Sequence, residues 1–400
     1  MRTRWIPAGT CLFAALALSF TASAGPEEAK TILEQGRERQ KLAMYDEAAD
    51  RYERFARMSP QASEAPEALQ DAIVLRLGLG QADEAIRDAE GYLKLYGAKL
   101  PEQAARVSLA IALHFSEREE HEAAKKQLVG WLSAFGQKAP LQARVLAHAR
   151  LGRAHAKLGH EKEAAAEYEV VRELWKDPAA AVKAIEAESS DARRLGGALN
   201  ALGEAMFFFA EQKRRELDAI RYPAYRGRAS KEEIEKHINT KVVDWIRKKR
   251  PAIEAVEREY RKIVDIPPMA PPAWVIASGN RVGQMWARFA AELRAAPIPS
   301  EWQGHGTIAG TNVSAAEIRA AYYQAVDDAA EPLRQRAKAA FKSCLDHAVK
   351  YQYFDANARQ CIQWLSKRYT SEVVPLDEIL PKRWLIGAPP LPGAPLPDPR

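Results

Sequence analysis

Cysteine is scarce in this chain of 400 residues, which holds only three. So few thiols exclude a disulfide-stapled miniature fold and a four-cysteine zinc site. Aromatic residues make up only 8%. Charge of one sign is also in short supply: 59 Lys and Arg stand against 53 Asp and Glu, a net of +6 that is too mild to argue for nucleic acid. Catalytic signatures are missing as well, with neither a P-loop nor a Gly-x-Ser-x-Gly elbow anywhere in the sequence. His121-Glu122 and His160-Glu161 each open like a zinc-protease motif, but Lys125 and Ala164 stand where the second histidine must be. Gly304-His305-Gly306 with Gly310 has the wrong spacing for a dinucleotide fingerprint and follows no strand. His148 and His155 lie seven apart, whereas helical metal sites use spacings of three or four. We therefore expect no metal, no cofactor and no catalytic residues.

What is present is helix. The chain is 47% hydrophobic and 28% charged, which excludes a disordered polymer and a multi-span membrane protein. Eleven of its 24 prolines sit in two tracts, Pro267 to Pro272 and Pro381 to Pro399, leaving the remainder rich in Ala, Glu, Lys, Arg and Leu. Residues 1–24 read as a cleavable signal peptide: Arg2 and Arg4 precede an apolar stretch from Cys11 to Phe20, and Ala22-Ser23-Ala24 fits the cleavage rule. Cleavage before Gly25 leaves 57 basic residues against 53 acidic ones and two cysteines, Cys344 and Cys361. Export predicts a periplasmic or envelope-associated protein with no transmembrane segment in the mature chain.

Between Ala29 and Trp175 one pattern recurs: an apolar-periodic helix, a short turn, a Glu-Ala pair and a second helix. The pairs are Glu47-Ala48, Glu84-Ala85, Glu122-Ala123 and Glu163-Ala164, spaced by 37, 38 and 41. In the first unit Gly36, Tyr45, Tyr52 and Pro60 accompany the pair, and in the fourth Gly152, Gly159 and Tyr168 do so. This spacing resembles the tetratricopeptide repeat (TPR), whose unit is 34 residues, with lengthened connections. The second and third units depart from it, with Ile73 and Ile111 in place of the small residue.

Residues 178–312 break the period. Asp191 to Arg221 predicts one long helix, and Ser230-Lys231-Glu232-Glu233 is a capping box for another that Pro251 should kink or split. A further helix is expected from Trp274 to Leu293. Residues 313–380 return to hairpins, with one helix ending near Ala330, a second starting around Pro332 and a third from Asp355. Residues 381–400 read as a Pro-rich disordered tail. The expected fold is all-α: a TPR-like solenoid of about four units over 25–177, a long-helix insertion and C-terminal hairpins.

The resemblance carries two further expectations. Matching Phe354-Asp355 to Tyr45-Asp46 puts Cys361 on Tyr52 and places Cys344 in the facing helix, so the two cysteines meet as a disulfide or pack as buried thiols. The family's groove positions project onto Arg37, Gln40, Lys41, Val74, Leu77, Phe115, Arg153 and Lys157, with Ser108 among their neighbours. Such a groove implies a non-enzymatic scaffold or adaptor of the bacterial cell envelope that binds an extended or helical peptide of a partner protein, as in secretion, motility or outer-membrane machines. Its competitor is filling of the groove by the chain's own central helices. Two other classes compete with the adaptor. One is a carrier of an apolar ligand between the central helices, drawn from Met206 to Phe209 and Trp286; the other is a glycan-active enzyme using Asp244, Asp265 or Glu301. The basic run Arg247 to Arg250 is expected to be a solvated helix surface.

Overall fold

A computed structural model describes residues 26–227, 230–308 and 312–373. The signal and tail expectations lie outside these residues. Among the described residues the regular elements are all helices, joined by turns and irregular segments, with one isolated bridge between Thr307 and Ser314. It divides after Ala139 into two compact units, so the fourth repeat belongs with the central helices and not with the first three.

The first unit holds three hairpins: α1 (Pro26–Lys41) with α2 (Tyr45–Met58), α3 (Ala65–Leu79) with α4 (Ala82–Tyr96), and α5 (Pro101–Glu117) with α6 (His121–Phe135). Each is made by an apolar stripe at helical spacing, such as Ala48, Ala49, Tyr52, Phe55 and Ala56 on α2. The turns repeat too. Ala43, Gly80 and Glu119 all adopt left-handed φ values, of 58°, 78° and 59°, two positions before the second helix of their hairpin. Gly159 does the same at 81° in the fourth hairpin, α7 (Leu141–Lys157) with α8 (Glu161–Leu174).

One register needs correction. In the third unit the wholly buried alanine is Ala124 rather than Ala123. A one-residue shift turns a helix by about 100°, which moves every groove assignment in that unit.

The second unit continues the hairpin order past the point where the sequence loses its period. After a short α9 (Pro178–Glu188), α10 (Ala192–Asp218) packs on both α7 and α8. Next come α11 (Lys231–His237), a π-turn over Ile238–Val242, and α12 (Val243–Val264), which packs on α10. The interruption is that π-turn, and Pro251 lies inside a continuing helix. Then α13 (Pro272–Leu293) packs on α12, α14 (Ala315–Tyr351) on α13, and α15 (Ala356–Arg368) on α14 and α13. Pro332 does not start a new helix either. It sits within the 37 residues of α14, and Arg334 donates to the Asp327 carbonyl close to where the proline removes a backbone donor.

Close approach of paired helices is repeated as well. A Cβ on Gly36 would stand 2.8 Å from Tyr52, one on Gly152 3.1 Å from Tyr168, and one on Gly283 2.7 Å from Phe341. With Ala337 fully buried one turn before Phe341, α13 and α14 reproduce the small-and-aromatic pairing of the first and fourth units. The sequence had matched α14 and α15 to the repeat instead. The fold is a TPR-like array of helical hairpins, and its C-terminal members are separated in sequence by inserted segments.

Candidate interaction surfaces

In the first unit, Arg37 and Lys41 on α1 are exposed, and Val74 on α3 is 62% exposed. Leu77 is half-buried, and Gln40 accepts a 2.5 Å hydrogen bond from the Tyr52 hydroxyl. Arg37 is not alone, since its charge acts on Asp71 of α3. Burial, and then the neighbouring Glu67, push the Asp71 carboxyl up, while Arg37 opposes them. Phe115 lies in the core at 8% exposure, because the third-unit register turns it inward. Ser108 faces a different place, a pocket of about 580 Å³ bounded by Leu93 of α4, by Gly97 just after that helix, and by Gln127, Gly130 and Trp131 of α6. The absence of a side chain at Gly130 leaves this space open.

Behind that surface lies a charge cluster that sequence reasoning missed. Arg76, 5% exposed, stands 3.0 Å from Asp50 and 3.3 Å from Asp88 and also pairs with Glu53. One guanidinium therefore serves three carboxylates. Asp88 is 2% exposed, and its carboxyl is pushed up from the usual 3.8 to about 6, chiefly by burial, with Arg76 opposing and Glu53 adding to the shift. An acid whose folded-state value is raised binds its proton more tightly when folded, so its contribution to stability is full below about pH 4 and falls as the pH rises to about 6. Asp88→Asn is expected to remove this slope without lowering the unfolding midpoint at pH 7.5. Thermal melts of both proteins from pH 4 to 8 check it, and parallel curves would contradict it.

In the second unit, Lys157 is exposed, but Arg153 is engaged within the fold. Glu204 of α10, 5% exposed, accepts from Arg153 at 2.5 Å, from Arg150 at 3.1 Å and from the Tyr168 hydroxyl at 3.0 Å. Burial, followed by the Glu204 charge, raises the Tyr168 phenol far above its ordinary value. The chain's own α10 thus occupies the face of α7 that carries Arg153, which removes this residue as a free anchor for a partner. A carboxylate between Leu202 and Met206 on an apolar stripe was the signal for Glu204, just as an arginine within the apolar Ile73 to Leu79 was the signal for Arg76.

The remaining candidates are absorbed by packing. Phe207 meets Tyr260 and Trp274 with ring centroids 5.5 and 5.1 Å apart, Phe208 meets Tyr168 at 4.8 Å, and Trp286 is 1% exposed. Side chains fill the stripe from which a carrier was drawn. Asp244 lies in the first turn of α12 and Asp265 follows its last residue, so a helix of 22 residues holds them about 30 Å apart. Glycosidic carboxylate pairs stand within about 10 Å. The run Arg247 to Arg250 is not a uniform surface, since Lys249 is 4% exposed and donates to Glu292 at 2.6 Å and to the Ile220 carbonyl at 3.0 Å. Arg247 pairs with Asp244 and Arg250 with Glu254. His148 contacts Glu167 at 2.6 Å, and His155 and His160 stand 3.4 Å apart. Among the described residues no group of three or more His, Cys, Asp or Glu could hold a metal ion, and no helix is long and apolar enough to cross a membrane. Cys344 and Cys361 form a disulfide across the α14–α15 hairpin, with a Cα–Cα distance of 6.5 Å.

No family model matches the chain, and no curated protein matches it. Among solved structures, it is similar to a tetratricopeptide repeat protein from Parabacteroides merdae at 11% identity, covering 77% of this chain and 98% of that one with a TM-score of 0.30. It is also similar to the TPR domain of P58(IPK) at 12% identity, covering 85% of this chain and 96% of that one with a TM-score of 0.20. At such scores the assignment of the fold rests on the hairpin packing itself.

Proposed function

We propose that this TPR-like chain is a non-enzymatic scaffold or adaptor of the bacterial cell envelope, binding a segment of a partner protein on the first-helix face of its first unit. Arrays of helical hairpins suit protein–protein interaction because stacking leaves one extended face uncovered. The carrying observation is that Arg37, Lys41 and Val74 stay exposed on neighbouring first helices. The loss of Phe115 and Arg153 from the groove shortens the expected ligand. The ligand that fits sets an acidic residue against Arg37 and Lys41 and an apolar one against Val74. Export is supported by the signal-like residues 1–24 and by the disulfide, a bond that persists in oxidising compartments.

The test is a pull-down from envelope extract with the intact protein and with an Arg37→Glu, Lys41→Glu, Val74→Asp variant of unchanged circular dichroism. The variant is expected to lose at least tenfold of the recovered partner, and equal recovery would overturn the reading. The mass of the mature protein tests export independently: a chain starting at Gly25 is expected, and one retaining residues 1–24 would contradict it.

A further inference from the structure

The second helices of the first unit carry a hole between them. On α6, Gln127, Gly130, Trp131 and Ala134 share one face at helical spacing, and all four line the pocket of about 580 Å³ that Gly130 leaves open. Glycine and alanine at 130 and 134 withhold the bulk that would close it. Its volume lies within the roughly 300–1,000 Å³ of sites that take a ligand.

The lining decides what fits. Among the described residues no charged side chain borders the pocket, so an ionised group placed there would lose water and gain no partner. One wall is aromatic, with the rings of Trp131 and Phe135 6.3 Å apart. Trp131 is 2% exposed and its indole donates to the Ala105 carbonyl at 2.8 Å, which fixes that wall in place. The polar lining consists of Ser108 from α5 and Gln127 from α6, both half-buried. Neither the Ser108 hydroxyl nor the Gln127 amide has a hydrogen-bond partner among the described residues. Between them they offer both donors and acceptors. A phenol matches all of this: its ring meets the rings, and its hydroxyl donates and accepts at once. A phenyl ring does neither, an indole only donates, and a free amino acid brings two charges that the lining does not answer.

The geometry points to a docking site for a tyrosine of a partner protein, its ring seated against Trp131 and Phe135 and its hydroxyl bonded to Ser108 and Gln127. Tyrosines seated in pockets of this kind carry a large share of the affinity at protein interfaces. The site shares no residue with the face formed by Arg37, Lys41 and Val74. It gives the proposed adaptor a second point of contact, and either can fail without the other.

Fluorine NMR of the full chain labelled with fluorotryptophan tests it, the Trp131 signal being assigned with a Trp131→Phe variant. N-acetyltyrosinamide, the side chain as a polypeptide presents it, is expected to shift that signal saturably and to bind about fivefold more tightly than N-acetylphenylalaninamide, the worth of one hydrogen bond. Replacing Ser108 by alanine together with Gln127 by methionine should abolish the difference between the two probes. Gly130→Leu should abolish the response itself at an unchanged unfolding midpoint, because a Cβ at Gly130 meets nothing within 4 Å and leucine is the better helix former. No shift with N-acetyltyrosinamide, equal affinity for the two amides, or a response that persists in Gly130→Leu would overturn the proposal. Tighter binding of free tyrosine than of its blocked amide would overturn it too, by making the pocket a site for the amino acid and not for a partner's side chain.

Discussion

Glu204→Ala is expected to lower the unfolding free energy by about 3–5 kcal/mol, the cost of breaking a buried ion pair from one side. Three donors converge on this carboxylate, and its removal leaves the guanidinium groups of Arg150 and Arg153 and the Tyr168 hydroxyl without it in a site where Glu204 is 5% exposed. At about 2–4 °C per kcal/mol for a unit of this size, the midpoint should fall by roughly 6–20 °C. Glu204→Gln retains an acceptor and should fall less. Replacing Arg150, Arg153 and Glu204 together by methionine should recover much of the loss, because an apolar set needs no charge partner. Calorimetry decides the matter, and a change below 1 kcal/mol for Glu204→Ala would mean that α10 is held on α7 by apolar contact alone.

Replacing both cysteines by alanine is expected to destabilise by about 3 kcal/mol, since the Cys344–Cys361 bridge closes a loop of 17 residues. The sulfurs are also sealed in, with Cys344 at 1% and Cys361 at 0% exposure between α13, α14 and α15. Reduction should therefore follow unfolding. Alkylation after dithiothreitol treatment is expected to label neither cysteine of the native protein within minutes and both in 6 M guanidinium. Fast labelling of the native protein would place the bridge at the surface.

Hairpins with short turns were legible in the sequence because their signals are local. Gly36, Ala48 and Tyr52 lie within one unit, and so do Gly152, Ala164 and Tyr168. The third unit was misread by one residue, because Ala123 and Ala124 are adjacent alanines and only packing selects the buried one. Two of the four left-handed turn residues, Ala43 and Glu119, carry no glycine to announce them. The prolines misled for another reason. Pro251 and Pro332 are breakers by local chemistry, but packing of α12 on α10 and of α14 on α13 holds each helix through its proline. Of the residues projected onto a groove, Arg37, Lys41 and Val74 of the first unit are exposed. Arg153 was claimed by Glu204, a residue 51 positions away, and no local pattern reports such a partner.

The pair formed by Gly283 and Phe341 also bears on the order in which the array assembles. Gly36 and Tyr52 are 16 positions apart, whereas Gly283 and Phe341 are 58 apart, yet the contact is the same. Closing the longer loop costs about 1 kcal/mol more of chain entropy before any contact is made. Helices with near neighbours in sequence can zip first, and the α13–α14 interface waits for a longer search. Nascent chains emerging from the ribosome would therefore complete the hairpins of the first unit before the Phe341 face of α14 is covered.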